Sequence, residues 1–259
     1  ARHPDDGVAA AAGVRLLALD RPGYGASDPA ADLTLWSFAD DLGAFLDELD
    51  IGRVRLLGWS AGGPWALAAA AVLGPERVDR VTTFGCVAPL AAFDVEDDGD
   101  PEVVAASGGR ADVAAMVLAG EGTPAAVAEE MARWLLPTPP VSLELALETV
   151  EEQVSKRSRR DLEAVPGAIE ALAASLAAAV DRHTDAGFRR DVEVQFSPAE
   201  IELLVGARCP VRLVHGSADS ICGPAVGRWL AARLADATVE VWEGEGHHAL
   251  FPRWSELLR

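Results

Sequence analysis

The chain has 259 residues, half of them apolar, enough to bury one large core or two smaller ones. Its 41 acidic against 22 basic residues leave a formal charge of −19, which argues against nucleic acid or an anionic membrane as a partner, because both would repel it. No uninterrupted apolar run reaches membrane-spanning length, and Cys86, Cys209 and Cys222 show neither CxxC nor His-paired spacing.

Free, buried thiols are therefore expected, in a reducing, cytoplasmic setting, with no metal and no cofactor. No signal peptide stands at the N-terminus. Residues 4–12 read as a helix with Pro4 near its first turn, and Val14–Leu19 as a buried strand running into the turn-rich Asp20-Arg21-Pro22-Gly23-Tyr24-Gly25. Thr34 is the expected N-cap of a helix to about Asp50, whose Leu35, Phe38, Leu42, Phe45 and Leu49 step by three and four onto one face.

Arg53–Leu57 is short, apolar and β-favouring, and Gly63–Ala71 is rich in strong helix formers. Between them lies Gly58-Trp59-Ser60-Ala61-Gly62, which holds a serine on a strand-to-helix turn. Such a turn forces its central residue into a strained conformation and needs small residues two before and two after it, here Gly58 and Gly62. It lifts the hydroxyl clear of the sheet, and the helix start behind it offers N–H groups to an oxyanion.

Val78–Phe84 is a further strand, and strands alternating with helices imply an α/β fold with a mostly parallel sheet and helices on both faces. That rhythm stops near residue 88. From there to about 202 the pattern is helical, broken at Pro137-Thr138-Pro139-Pro140 and Pro166-Gly167. Leu143, Leu147, Val150 and Val154 keep helical spacing, and Glu152 is placed to support Lys156 one turn on. The expected organisation is a core of residues 1–88 and 203–259 with a helical cap insertion, 89–202. Alternation resumes with a strand over Val211–His215, a helix over Pro224–Leu234 and a strand over Thr238–Trp242.

The two late strands run into His215-Gly216-Ser217-Ala218-Asp219 and Gly244-Glu245-Gly246-His247-His248. Active sites of open parallel sheets lie beyond the carboxyl ends of their strands. Ser60, Asp219 and His247 each follow such an end, in the order nucleophile, acid, base.

On these residues the chain resembles the α/β-hydrolase superfamily, in particular its capped bacterial serine esterases and peptidases. The segments that carry the resemblance are Asp20–Asp28, the Ser60 turn, His215–Asp219 and Gly246-His247; residues 89–202 carry no matching motif. The resemblance implies Ser60 as nucleophile, His247 as base, Asp219 as its orienting acid, the Ala61 N–H as an oxyanion donor, and His248 as an adjacent loop residue. It implies hydrolysis of an ester or amide of a small, uncharged substrate, with a C–C bond hydrolase, lactonase, thioesterase or aminopeptidase as alternatives on the same triad. A serine nucleophile argues against dehalogenase or epoxide-hydrolase chemistry, for which the fold typically uses aspartate. The family has three strands before the Asp20 loop, and none precedes Val14 here. The first strands and the second oxyanion donor are thus expected upstream of Ala1, and an inactive truncated domain is the alternative of another class.

Overall fold

The computed structural model describes residues 3–97, 99–182, 184–197 and 201–259. In chain order the elements are α1 (Gly7–Ala11), α2 (Leu35–Glu48), β1 (Val54–Trp59), α3 (Gly62–Leu73), β2 (Val78–Phe84), a 3-10 helix (Leu90–Phe93), α4 (Pro101–Ala106), α5 (Gly109–Leu118), α6 (Pro124–Leu135), α7 (Leu143–Gln153), α8 (Lys156–Glu163), α9 (Ala168–Asp181), α10 (Ala186–Gln195), α11 (Ile201–Val205), β3 (Val211–Gly216), α12 (Pro224–Ala231), β4 (Ala237–Trp242) and α13 (Trp254–Leu257). They fall into two compact units, one of residues 1–32, 124–193 and 248–259, the other of residues 33–123 and 194–247.

The second unit holds the sheet, four parallel strands in the order β1-β2-β3-β4. β-branched and leucine side chains fill it: Val78, Val81, Leu213 and Val214 are fully buried, as strands covered on both sides require. α3 packs against β1 and β2, and α12 against β3 and β4. Thr34 caps α2 as expected, its hydroxyl accepting the Ser37 N–H at 3.0 Å while the Ser37 hydroxyl accepts the Thr34 N–H at 2.9 Å. The buried stripe of α2 is Leu35, Ala39, Leu42 and Leu46, rotated from the expected one. Ala39 meets Ala69 of α3 in one apolar cluster, and two alanines let the helices approach where Phe38 and Phe45 would hold them apart. Phe38 and Phe45 therefore flank the contact, and Leu49 is left 40% exposed.

Residues 14–19 form no strand, contrary to expectation, and Leu16, Leu17 and Leu19 are each about two-fifths exposed. A strand exists only as part of a ladder, and no described segment pairs with this one. α1 starts at Gly7 rather than at Pro4, because the Asp5 carboxylate takes the Gly7 N–H at 2.8 Å and closes a turn of its own.

Between β2 and β3 the described residues contain helices and no strand, as read from the sequence. In the first unit α7 packs on α9, through Ala146 and Val150 against Ala173. Leu143, expected on that face, is 51% exposed because it opens the helix. Glu152 and Lys156 do not share a helix: α7 stops at Gln153, and the Ser155 hydroxyl accepts the Ser158 N–H at 3.1 Å to cap α8. The loop after residue 19 is tied to α10 in the same unit. The Arg21 guanidinium pairs with Asp191, the Tyr24 hydroxyl donates to the same carboxylate at 3.0 Å, and Gly23 lies against the Gly187 backbone.

Candidate active site

Ser60 follows the last residue of β1 and has φ +53°. That is the left-handed region, which costs a residue with a side chain about 1–2 kcal/mol. The conformation is held from three sides: the Ser60 N–H donates to the Phe84 carbonyl at 3.0 Å, and the Ser60 carbonyl accepts from Gly63 at 3.0 Å and from Val87 at 3.4 Å. The need for small residues is met differently from the expectation. A Cβ on Gly58 would lie 2.6 Å from the Gly62 carbonyl oxygen, so Gly58 is required. A Cβ on Gly62 would meet nothing, whereas one on Gly63 would strike the Cys86 sulfur. The second close approach thus belongs to the first turn of α3 against the chain leaving β2. The Ala61 N–H, at the N-cap of α3, makes no hydrogen bond among the described residues.

The loops after β3 and β4 are laced to each other. Ser217 N–H donates to the Trp242 carbonyl at 3.0 Å, Ala218 N–H to the Glu245 carbonyl at 2.9 Å, and Gly244 N–H to the Ser217 hydroxyl at 2.8 Å. This lacing brings Asp219 and His247 together: Nδ1–H of His247 donates to Oδ2 of Asp219 at 2.7 Å, with both residues buried. His247 is thus the histidine placed on the acid. The other oxygen of Asp219 accepts the N–H groups of Ile221 (2.8 Å) and Cys222 (2.9 Å). Burial alone would raise the Asp219 carboxyl, but the hydrogen bond and charge of His247, with those two N–H donors, hold it below its ordinary value.

Three further residues shape this pair and were not singled out from the sequence. Gly85, just past β2 with φ +54°, leaves room for it: a Cβ there would sit 3.1 Å from both Asp219 Oδ2 and His247 Nδ1. Trp59 donates its indole N–H to the His247 carbonyl at 3.1 Å, and the two rings lie 5.6 Å apart. His215, fully buried on β3, donates Nδ1–H to the Cys222 carbonyl at 2.8 Å and so steadies the loop that feeds Asp219. Burial pushes the His215 imidazolium down, keeping the ring neutral. Trp59 lies inside the serine motif and His215 inside the acid motif; what they contact lies far along the chain, so no local signal announced it.

Among the described residues no group of three or more His, Cys, Asp or Glu is arranged to hold a metal ion. Cys86, Cys209 and Cys222 are free and buried. No single described helix is long and apolar enough to cross a membrane.

A parallel sheet with a strained serine after one strand and an Asp–His pair after two others defines a hydrolase-like architecture. Residues 5–253 match the family model described as alpha/beta hydrolase fold, and the chain belongs to that family. It is 44% identical over 77 residues to the 2-hydroxy-6-oxononadienedioate/2-hydroxy-6-oxononatrienedioate hydrolase of Cupriavidus pinatubonensis. That stretch is 29% of this chain and 26% of the relative, so the match spans about a quarter of that protein's length. The bromoperoxidase of Bacillus anthracis is similar in structure, with TM-score 0.64 and 20% identity, over 97% of this chain and 81% of that one. So is a thermophilic esterase of Thermogutta terrifontis, with TM-score 0.59 and 18% identity, over 92% of this chain and 75% of the other. At these identities the likeness is one of fold.

Proposed function

We propose that the protein is a serine hydrolase acting on an ester or related acyl bond of a small molecule. The observation that carries this reading is the buried Asp219–His247 hydrogen bond beyond β3 and β4, at the same carboxyl-terminal end of the parallel sheet as the Ser60 turn after β1. In this mechanism His247 takes the Ser60 proton as the hydroxyl attacks the carbonyl carbon, and Asp219 fixes the tautomer and stabilises the imidazolium. The Ala61 N–H, left without an internal partner, is one donor for the oxyanion. His247 then returns the proton to the leaving group, and water hydrolyses the acyl-enzyme. The helical stretch 89–202 is the insertion that sets substrate preference.

The 77-residue likeness to a dienedioate hydrolase favours a second reading, in which the same serine cleaves a C–C bond of a vinylogous diketone. Two assays separate these readings and test what they share. A fluorophosphonate probe should label the wild type at Ser60 and leave Ser60→Ala unlabelled; labelling that persists in the variant removes the mechanism. Turnover of an aryl-ester panel against a vinylogous diketone decides the bond class.

A further inference from the structure

His215 is a fully buried imidazole for which packing alone gives no reason. The ring lies against α12 at Gly227: a Cβ there would stand 2.8 Å from Cδ2 and 2.9 Å from Nε2 of His215, and 3.3 Å from a Val239 methyl. Glycine is the poorest helix former after proline, and here it sits inside α12, among buried residues, where it makes room for the ring. Nε2 is enclosed with no hydrogen-bond partner among the described residues, so the ring carries the cost of an unanswered acceptor. Burial, with His247 and Arg228, lowers the His215 pKa against the pull of the Cys222 carbonyl and Asp219. A neutral ring that turns Nδ1 to a carbonyl carries its proton on that nitrogen. Leucine would fill a similar volume without the orphan nitrogen, but it has nothing to donate.

What the imidazole supplies is one donor, Nδ1–H, held 2.8 Å from the Cys222 carbonyl. Cys222 is thereby gripped at both ends: its own N–H donates to Oδ1 of Asp219 at 2.9 Å, beside the Ile221 N–H at 2.8 Å. The other oxygen of that carboxylate takes His247 at 2.7 Å. The tie from Gly223 N–H to the Ala106 carbonyl of α4 is 3.4 Å long, so His215 holds this loop more closely than α4 does. A carboxylate orients a base only as well as it is itself oriented, and both donors to Oδ1 hang on the backbone that His215 grips.

We propose that His215 is a positioning residue for the Asp219–His247 pair, acting through Cys222, and that Gly227 is small so that the ring can reach that carbonyl. This rests on the acyl-hydrolase reading. His215→Leu exchanges one buried acceptor without a partner, Nε2, for another, the Cys222 carbonyl, so Tm should stay within a few degrees. On a 4-nitrophenyl ester kcat should nevertheless fall about tenfold, with KM within about twofold. His215→Asn, whose amide can donate from near the Nδ1 position, should restore most of kcat. The far-downfield proton resonance of His247 Nδ1–H should move upfield in His215→Leu and return in His215→Asn. Gly227→Ala is a second test that leaves the imidazole in the chain. It should slow the wild type severalfold but cost little in the His215→Asn background, where neither Cδ2 nor Nε2 is present to be struck. Wild-type kcat with an unmoved resonance in His215→Leu overturns the proposal. So does a loss of kcat that follows Tm and that His215→Asn does not relieve, and so do equal losses from Gly227→Ala in both backgrounds. Should Ser60 fail to take the fluorophosphonate probe, the hydrolase reading falls, while the His247 resonance across the variants still judges the positioning. If His215→Leu does not fold, His215→Asn and Gly227→Ala decide the matter.

Discussion

At the scale of single residues, the arrangement around His247 makes two claims that can be measured. The His247 imidazole donates to the Asp219 carboxylate, and the His247 backbone carbonyl accepts the Trp59 indole N–H. His247→Ala should therefore lower kcat/KM by about a thousandfold or more, as loss of a triad base does, whereas His248→Ala should cost about tenfold or less; steady-state kinetics on the best ester reads both, and the reverse order would move the base to His248. The second claim concerns acid. The folded pKa of Asp219 lies below its unfolded value, so the stability it contributes is complete above about pH 4 and is lost as the pH falls through the lower folded value. Thermal melts of wild type and Asp219→Asn should differ at neutral pH and converge towards pH 2. Curves that stay parallel across that range would show that Asp219 is not preferentially ionised in the fold.

Among elements, the informative junction is the loop after residue 19 against α10. Arg21, Tyr24 and Asp191 share one enclosed carboxylate. Burial alone would lower the Arg21 pKa, but Asp191 more than reverses this, and both burial and Asp191 push the Tyr24 hydroxyl up. Removing Asp191 takes the shared acceptor from the partly buried Arg21 guanidinium and the Tyr24 hydroxyl, so Asp191→Ala should destabilise the protein by about 1–3 kcal/mol in denaturant unfolding. The double variant Arg21→Met with Asp191→Leu should recover much of that loss, because apolar groups of similar volume carry no desolvation cost. Equal losses in the single and double variants would mean that packing, not charge, holds the junction. The lacing of the β3 and β4 loops works at the same scale: it rests on backbone N–H groups and one serine hydroxyl, so it fixes where Asp219 and His247 point whatever surface side chains the loops carry.

The whole molecule carries a charge of −19. Ion pairs such as Arg133–Glu130 and Arg53–Asp79 are exposed and contribute little, so net self-repulsion of the acids dominates the long-range electrostatics. Raising NaCl from about 10 mM to 0.5 M shortens the screening length from about 30 Å to under 10 Å. Tm should therefore rise by several degrees. A Tm that is flat or falls with salt would mean that local pairs outweigh the repulsion.

The sequence by itself determined the sheet-bearing elements. β2 lies at its expected bounds; β1, β3, β4 and α3 differ from theirs by a residue or two, and Thr34 caps α2. Those readings succeed because a buried strand, an amphipathic helix and a cap are written in neighbouring residues, and because glycine and serine at fixed spacing constrain the backbone locally. Only the tertiary structure decided what depends on a distant partner. The apolar run at 14–19 looked like a strand but has no ladder to join. The stripe of α2 turned towards Ala69, Gly63 rather than Gly62 proved the tight position against Cys86, and Gly85 became the floor beneath the Asp219–His247 pair. Arg110 is the extreme case. In the sequence it is one basic residue among 22, and only the packing of its guanidinium 4.3 Å over the Phe196 ring distinguishes it. Periodicity records which side chains leave water; it does not record what they meet when they do.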